Sequence, residues 1–96
     1  MKRATALKTL SEHKAEIARR FGVASLTLFG STARDAAKPG SDVDLLVSFV
    51  GPATSAQFFG VQFYLEDVLG CPVDLVTEKA LRTELRPYVL KDAVHV

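Results

Sequence analysis

The chain has 96 residues, with 48% apolar and 24% charged side chains and a formal net charge of +1 at pH 7. These are the proportions of an ordinary globule; the near-neutral charge argues against direct nucleic-acid binding, and no apolar run approaches the ~20 residues a membrane helix needs. The length fits one domain spanning 1–96 and leaves no room for a separate substrate-recognition domain.

Cys71 is the only cysteine. An intramolecular disulfide and a cysteine-type zinc site are therefore excluded, and a reduced, cytoplasmic setting is expected. The basic start, Met1 to Thr5, is followed by no unbroken apolar stretch, so no signal peptide is expected. Nothing in the composition decides whether the chain forms a homo-oligomer.

In chain order, residues 4–20 read as a helix. Leu7, Leu10, Ile17, Ala18 and Phe21 recur near one face, and Gly22 stands where a C-terminal cap belongs. The basic residues of this helix alternate with Glu12 and Glu16, as on a solvated face. Residues 23–29 form a strand with Leu26 and Leu28 on one side. Gly30-Ser31 makes a turn, Thr32 to Ala37 a short helix, and Lys38-Pro39-Gly40 a loop. A second strand covers 42–50.

Thr54 or Ser55 caps a long helix that runs to about Leu69, with Phe58, Phe59, Phe63, Leu65, Val68 and Leu69 as a broad apolar face and Gly70 as its stop. Val73 to Val76 is a third strand. Thr77 then caps a helix to about Arg86, and Pro87 opens a last short helix. The expected fold is α/β (α+β), a small mixed sheet flanked by helices.

Asp42 and Asp44 lie two apart in a strand-like run, so both carboxylates point to the same side while Val43 and Leu45 enter the core. Neighbouring carboxylates repel unless a cation or hydrogen bonds compensate. Oxygen-only ligands suit a hard ion such as Mg²⁺ or Mn²⁺. Gly30 lets backbone approach a ligand, and the free N–H groups of a helix start attract phosphate, with the Ser31 hydroxyl beside them. The competing reading is an ordinary turn with Ser31 as N-cap. Asp74, between apolar neighbours, supplies a third carboxylate if its strand adjoins that of Asp42 and Asp44; otherwise it caps a nearby loop.

Leu28-Phe29-Gly30-Ser31-Thr32-Ala33-Arg34, Gly40-Ser41-Asp42-Val43-Asp44-Leu45-Leu46-Val47 and Val73-Asp74-Leu75-Val76 together resemble the signature of the polymerase-beta-like nucleotidyltransferases. More narrowly, the chain looks like the minimal nucleotidyltransferases (MNT) that serve as antitoxins to HEPN-domain toxins, including in its ending, Arg86 to His95. The resemblance implies that Gly30 and Ser31 hold a nucleoside triphosphate, taken to be ATP. It implies that Asp42, Asp44 and Asp74 form the catalytic centre and bind Mg²⁺, with two ions expected, Asp74 also helping to activate the attacking hydroxyl. Arg34 matches the arginine after the turn; it either contacts phosphate or pairs with a nearby carboxylate. Asp35 stands where many family members have glycine, and Lys38-Pro39 is this chain's own.

The implied function is transfer of AMP from ATP to a hydroxyl, a tyrosine, of a cognate HEPN toxin. Two alternatives stand beside it. The antitoxin acts mainly by binding, with Phe58, Phe59, Phe63 and Tyr64 as a docking stripe, or the acceptor is a small molecule. His13 reads as a solvated helix residue, His95 as a tail residue, and Cys71 as a small buried apolar side chain.

Overall fold

The structure is a computed structural model that describes residues 1–96 apart from Arg82 and Leu85. Its elements are α1 (Arg3–Phe21), β1 (Val23–Phe29), α2 (Gly30–Ala33), β2 (Val43–Phe49), α3 (Ser55–Leu69), β3 (Val73–Thr77), α4 (Arg86–Lys91) and β4 (Val94–His95). The strands form one sheet in the order β3-β2-β1-β4. β1 runs antiparallel to both β2 and β4, whereas β2 and β3 are parallel. The mixed sheet with helices is thus the architecture expected from the sequence.

The sheet acquires two unlike faces through strand alternation. Leu26 and Leu28 of β1, Val43, Leu45 and Val47 of β2, and Val73 and Leu75 of β3 join Ala6, Leu10 and Ile17 of α1 and Val61, Leu65 and Leu69 of α3 in one buried cluster. The other face carries paired polar residues: Thr27 is in register with His95, Ser25 with Ser48, and Asp44 with Asp74. Helices therefore close one face, and the charged side chains of the central strands have only the other to occupy.

Local chemistry fixes the long helices. Thr54 Oγ1 accepts from the Gln57 N–H at 3.1 Å while Gln57 Oε1 accepts from the Thr54 N–H at 2.8 Å. This reciprocal pair satisfies two donors that a helix start leaves free. α1 lacks a side-chain cap of its own at Lys2. Its Arg3 N–H donates instead to Asp35 Oδ1 at 3.0 Å, so a residue 32 positions away closes the helix.

Several expectations are corrected. Ala18 is exposed, and Ala6 fills the buried position on α1. α2 spans Gly30–Ala33 and not Thr32 to Ala37. Arg34 and Asp35 leave the helix because Asp35 turns left-handed (φ 57°). β2 begins at Val43, so Asp42 precedes the strand. Thr77 ends β3 rather than starting a helix; its hydroxyl accepts from the Ala80 N–H at 3.2 Å within a turn. The expected helix from Thr77 to Arg86 is absent among the described residues, with Arg82 and Leu85 lying outside them.

Residues 94–95 form an edge strand that the sequence reading missed, so His95 is a sheet residue. Phe59 and Phe63 are 51% and 66% exposed, which narrows the apolar face of α3 to Phe58, Val61, Leu65, Val68 and Leu69. His13 is half-buried, its Nδ1 3.0 Å from Tyr64 Oη. Cys71 is partly exposed and packs against the core edge. No helix among the described residues is long and apolar enough to cross a membrane.

Candidate active site

The central strands bring the conspicuous residues to one end of the sheet. Asp44 and Asp74 are directly paired across β2 and β3. On its other side Asp44 is in register with Phe29, the last residue of β1, so the chain passes from Phe29 into Gly30 immediately beside the carboxylate. Gly30 has φ +73°. A Cβ built there would run into the Asp44 carboxylate, 2.9 Å from its Cγ. Only glycine therefore lets the turn and the aspartate share this corner, a constraint on both backbone angle and volume.

Asp44 is crowded by like charge. Asp44 is held above the ordinary carboxylate range, first by burial and then by the negative charges of Asp74 and Asp42, with the positive charge of Arg34 opposing them. Asp42 is exposed at the entry to β2, and Val43 behind it donates its N–H to Pro72 O at 3.0 Å, clamping that entry to the start of β3. Among the described residues, no three His, Cys, Asp or Glu side chains are already gathered around one ion position. Asp44 and Asp74 form the paired centre, with Asp42 as an exposed neighbour.

Ser31, half-buried, follows Gly30 in α2, and no side chain caps that helix. Ser31 is thus not the N-cap of the competing sequence reading. Thr32, next along the turn, is 1% exposed, and its Oγ1 has no hydrogen-bond partner. A buried, unpaired hydroxyl is unfavourable and uncommon. The sequence reading had not singled it out, and a threonine between Ser31 and Ala33 carries no signal that would have.

Arg34 makes an ion pair here: Nη1 stands 3.8 Å from Asp92 Oδ2, both groups being partly exposed. Asp92 was not anticipated, since nothing in the sequence links positions 34 and 92. His13 is engaged with Tyr64, and His95 Nδ1 stands 3.5 Å from Thr27 Oγ1. Burial raises the Cys71 thiol above its usual range, which disfavours the thiolate a nucleophile needs.

Two concavities lie elsewhere. One, of ≈ 460 Å³, is lined by Val47, Phe49, Pro52, Thr77 and Lys79 at the opposite end of β2 and β3. The other, of ≈ 510 Å³, lies between Met1, Lys2, Asp35, Ala37 and Pro39. Neither contains the carboxylates, whose geometry and charge mark the chemistry better than cavity size does.

Residues 10–96 match the nucleotidyltransferase domain family. The protein adenylyltransferase MntA of Thermococcus cleftensis is 41% identical over 87 residues, covering 91% of this chain and 88% of the relative. A solved structure assigned as a minimal nucleotidyltransferase is 36% identical with a TM-score of 0.82, covering 98% of this chain and 95% of that one. A Shewanella oneidensis complex of a tri-AMPylated HEPN toxin with an MNT antitoxin shares the fold at a TM-score of 0.66 and 18% identity, covering 94% of this chain and 70% of that one. The chain belongs to the nucleotidyltransferase family, in its minimal branch.

Proposed function

We propose that residues 1–96 act as one minimal nucleotidyltransferase domain, a cytoplasmic antitoxin that transfers AMP from ATP to a tyrosine of a cognate HEPN toxin and so neutralises it. The observation that carries this reading is the corner where Asp44 pairs with Asp74 and Gly30 leaves room for neither more nor less than its own backbone. The relatives named as protein adenylyltransferases support a protein acceptor.

The donor set fits a hard divalent cation. It is all oxygen, and the crowding of like charge that raises Asp44 is what a cation relieves. Asp42, Asp44 and Asp74 would hold Mg²⁺, two ions being the expected number. Bound Mg²⁺ supplies a lowered pKa for the attacking hydroxyl and neutralises charge on the leaving oxygens. Gly30 and Ser31 receive the triphosphate, Ser31 donating its hydroxyl hydrogen to phosphate oxygen. Arg34, beside them, contributes positive charge in exchange for its exposed pairing with Asp92, an exchange that costs little because such pairs are worth only about 0–1 kcal/mol. Asp74 orients the acceptor hydroxyl.

The test is the intact mass of the HEPN-type partner after incubation with this protein, ATP and Mg²⁺, with the double variant Asp42→Asn, Asp44→Asn as control. A gain of AMP units that the control lacks is expected. An unmodified partner in a stable complex, neutralised equally by the control, establishes instead an antitoxin that acts by binding. The exposed Phe59 and Phe63 favour that second reading. Transfer to a small molecule would leave the partner both unmodified and unbound.

A further inference from the structure

The chain has two tyrosines, and their surroundings differ sharply. Tyr64 packs against Phe21 and has its hydroxyl 3.0 Å from His13 Nδ1. Tyr88 is 77% exposed, the largest exposure among the large apolar and aromatic side chains described. It lies on α4, a helix with no buried residue. That helix is not held by the core. What fixes its far end is the β4 strand that follows and pairs with β1, and beside that strand Asp92 makes an exposed pair with Arg34.

This attachment decides where Tyr88 stands. Arg34 closes the turn that begins at Gly30, donating its N–H to Gly30 O at 3.2 Å, and Gly30 abuts the Asp44 carboxylate. Asp92 is therefore at the border of the carboxylate corner. Three residues lie between Tyr88, on α4, and Asp92, the first residue past that helix, a span of about one turn or ~6 Å along the chain's coil. The Ala93 N–H to Leu90 O bond of 3.3 Å keeps the chain coiled through this junction. An unencumbered phenol thus sits one turn from the group that borders the site. A phenol also gives up its proton far more readily than an aliphatic alcohol.

We propose that Tyr88 is a self-acceptor: in the absence of a partner, the chain transfers the nucleoside monophosphate of its bound triphosphate to its own Tyr88, in cis. The inference rests on the nucleotidyltransferase reading given above. Tyr88 Oη forms a bond to the α-phosphorus while the bond from that phosphorus to the oxygen bridging to the β-phosphate breaks. The electron pair leaves with pyrophosphate and the phenolic proton passes to water. The product is a phosphodiester on α4, beside Arg34 and Asp92, where its negative charge competes with Asp92 for the guanidinium.

The experiment is intact-mass analysis and peptide mapping of the full chain after incubation with ATP and Mg²⁺ alone, run beside the partner-modification assay. A gain of one AMP unit located on Tyr88, lost completely in Tyr88→Phe and retained in Tyr64→Phe, is expected. Its rate per chain is expected to be independent of protein concentration. Tyr88→Phe changes only an exposed hydroxyl, so the fold is not at stake. An unmodified chain in a preparation that modifies the partner overturns this proposal alone. Modification of the chain without modification of the partner overturns the toxin-acceptor reading alone, and absence of both overturns both. AMP on any other residue, or a rate that falls on dilution, also overturns the assignment.

Discussion

Gly30 is the residue on which the corner depends. A side chain there must occupy a positive φ, costing roughly 1–2 kcal/mol, and must also displace the Asp44 carboxylate from its place in register with Asp74. Gly30→Ala is therefore expected to lower the unfolding free energy by about 2 kcal/mol and to abolish nucleotide transfer, read by urea unfolding and by the mass assay. An alanine variant with undiminished transfer would show that the turn does not crowd the carboxylate. Asp35 illustrates the opposite arrangement. It too is left-handed, yet it is not glycine, because its carboxylate receives the Arg3 N–H and finishes α1. The departure from the glycine common at this position thus has a local structural role.

At the level of elements, α1 and α3 meet through a close approach. A Cβ on Gly60 would fall 2.8 Å from Phe21 Cε1 and 3.1 Å from Phe21 Cδ1. The Phe21 ring is itself held edge-on against Tyr64, with Arg20 above both. Alanine is the better helix former by about 1 kcal/mol, but overpacking a fixed ring costs about 1–3 kcal/mol. The second effect wins if the ring cannot withdraw. Gly60→Ala is expected to destabilise the fold by about 1 kcal/mol in chemical unfolding, and a stabilised variant would mean that Phe21 moves aside freely. The sides of α3 toward α1 and the sheet carry Gly60, Val61, Tyr64, Leu65 and Leu69, which leaves Phe59 and Phe63 on the side toward solvent.

For the molecule as a whole, the acidic corner is a local cost carried by the rest of the fold. Asp44 has a folded-state pKa above its unfolded value, so the folded chain binds a proton first. Its contribution to stability is then fully present below the unfolded value of about 3.9 and is lost as pH rises through the raised folded value. In chelator-treated protein, Asp44→Asn is expected to raise the melting temperature by a few degrees at neutral pH and to shrink that gain as the pH is lowered toward 4. Added Mg²⁺ should stabilise the wild type and leave Asp44→Asn nearly unmoved, since a ligand stabilises only the state that binds it. A variant less stable than wild type at neutral pH without metal would mean that Asp44 is structurally satisfied as it stands.

The sequence by itself determined the helices and strands whose signals are local. The alternation in β1 and β2, the Thr54 cap and the glycines ending α1 and α3 are written in neighbouring residues, and the structure places those elements within a residue or two. The segments around Gly30-Ser31, Asp42, Asp44 and Asp74 also carry the resemblance to the family to which the chain belongs. Other features were decided by tertiary structure because they join distant segments. β4 exists only because β1 offers it an edge, two residues being too few to show a period. Thr77 had the composition of a helix cap, but pairing with Val47 drew it into the sheet. The partner of Arg34 was 58 positions away at Asp92, and Phe59 and Phe63 read as core although the packed side of α3 is the one that carries Val61, Leu65 and Leu69. Alternation and capping act between neighbours along the chain, whereas register and burial depend on what the rest of the chain brings alongside.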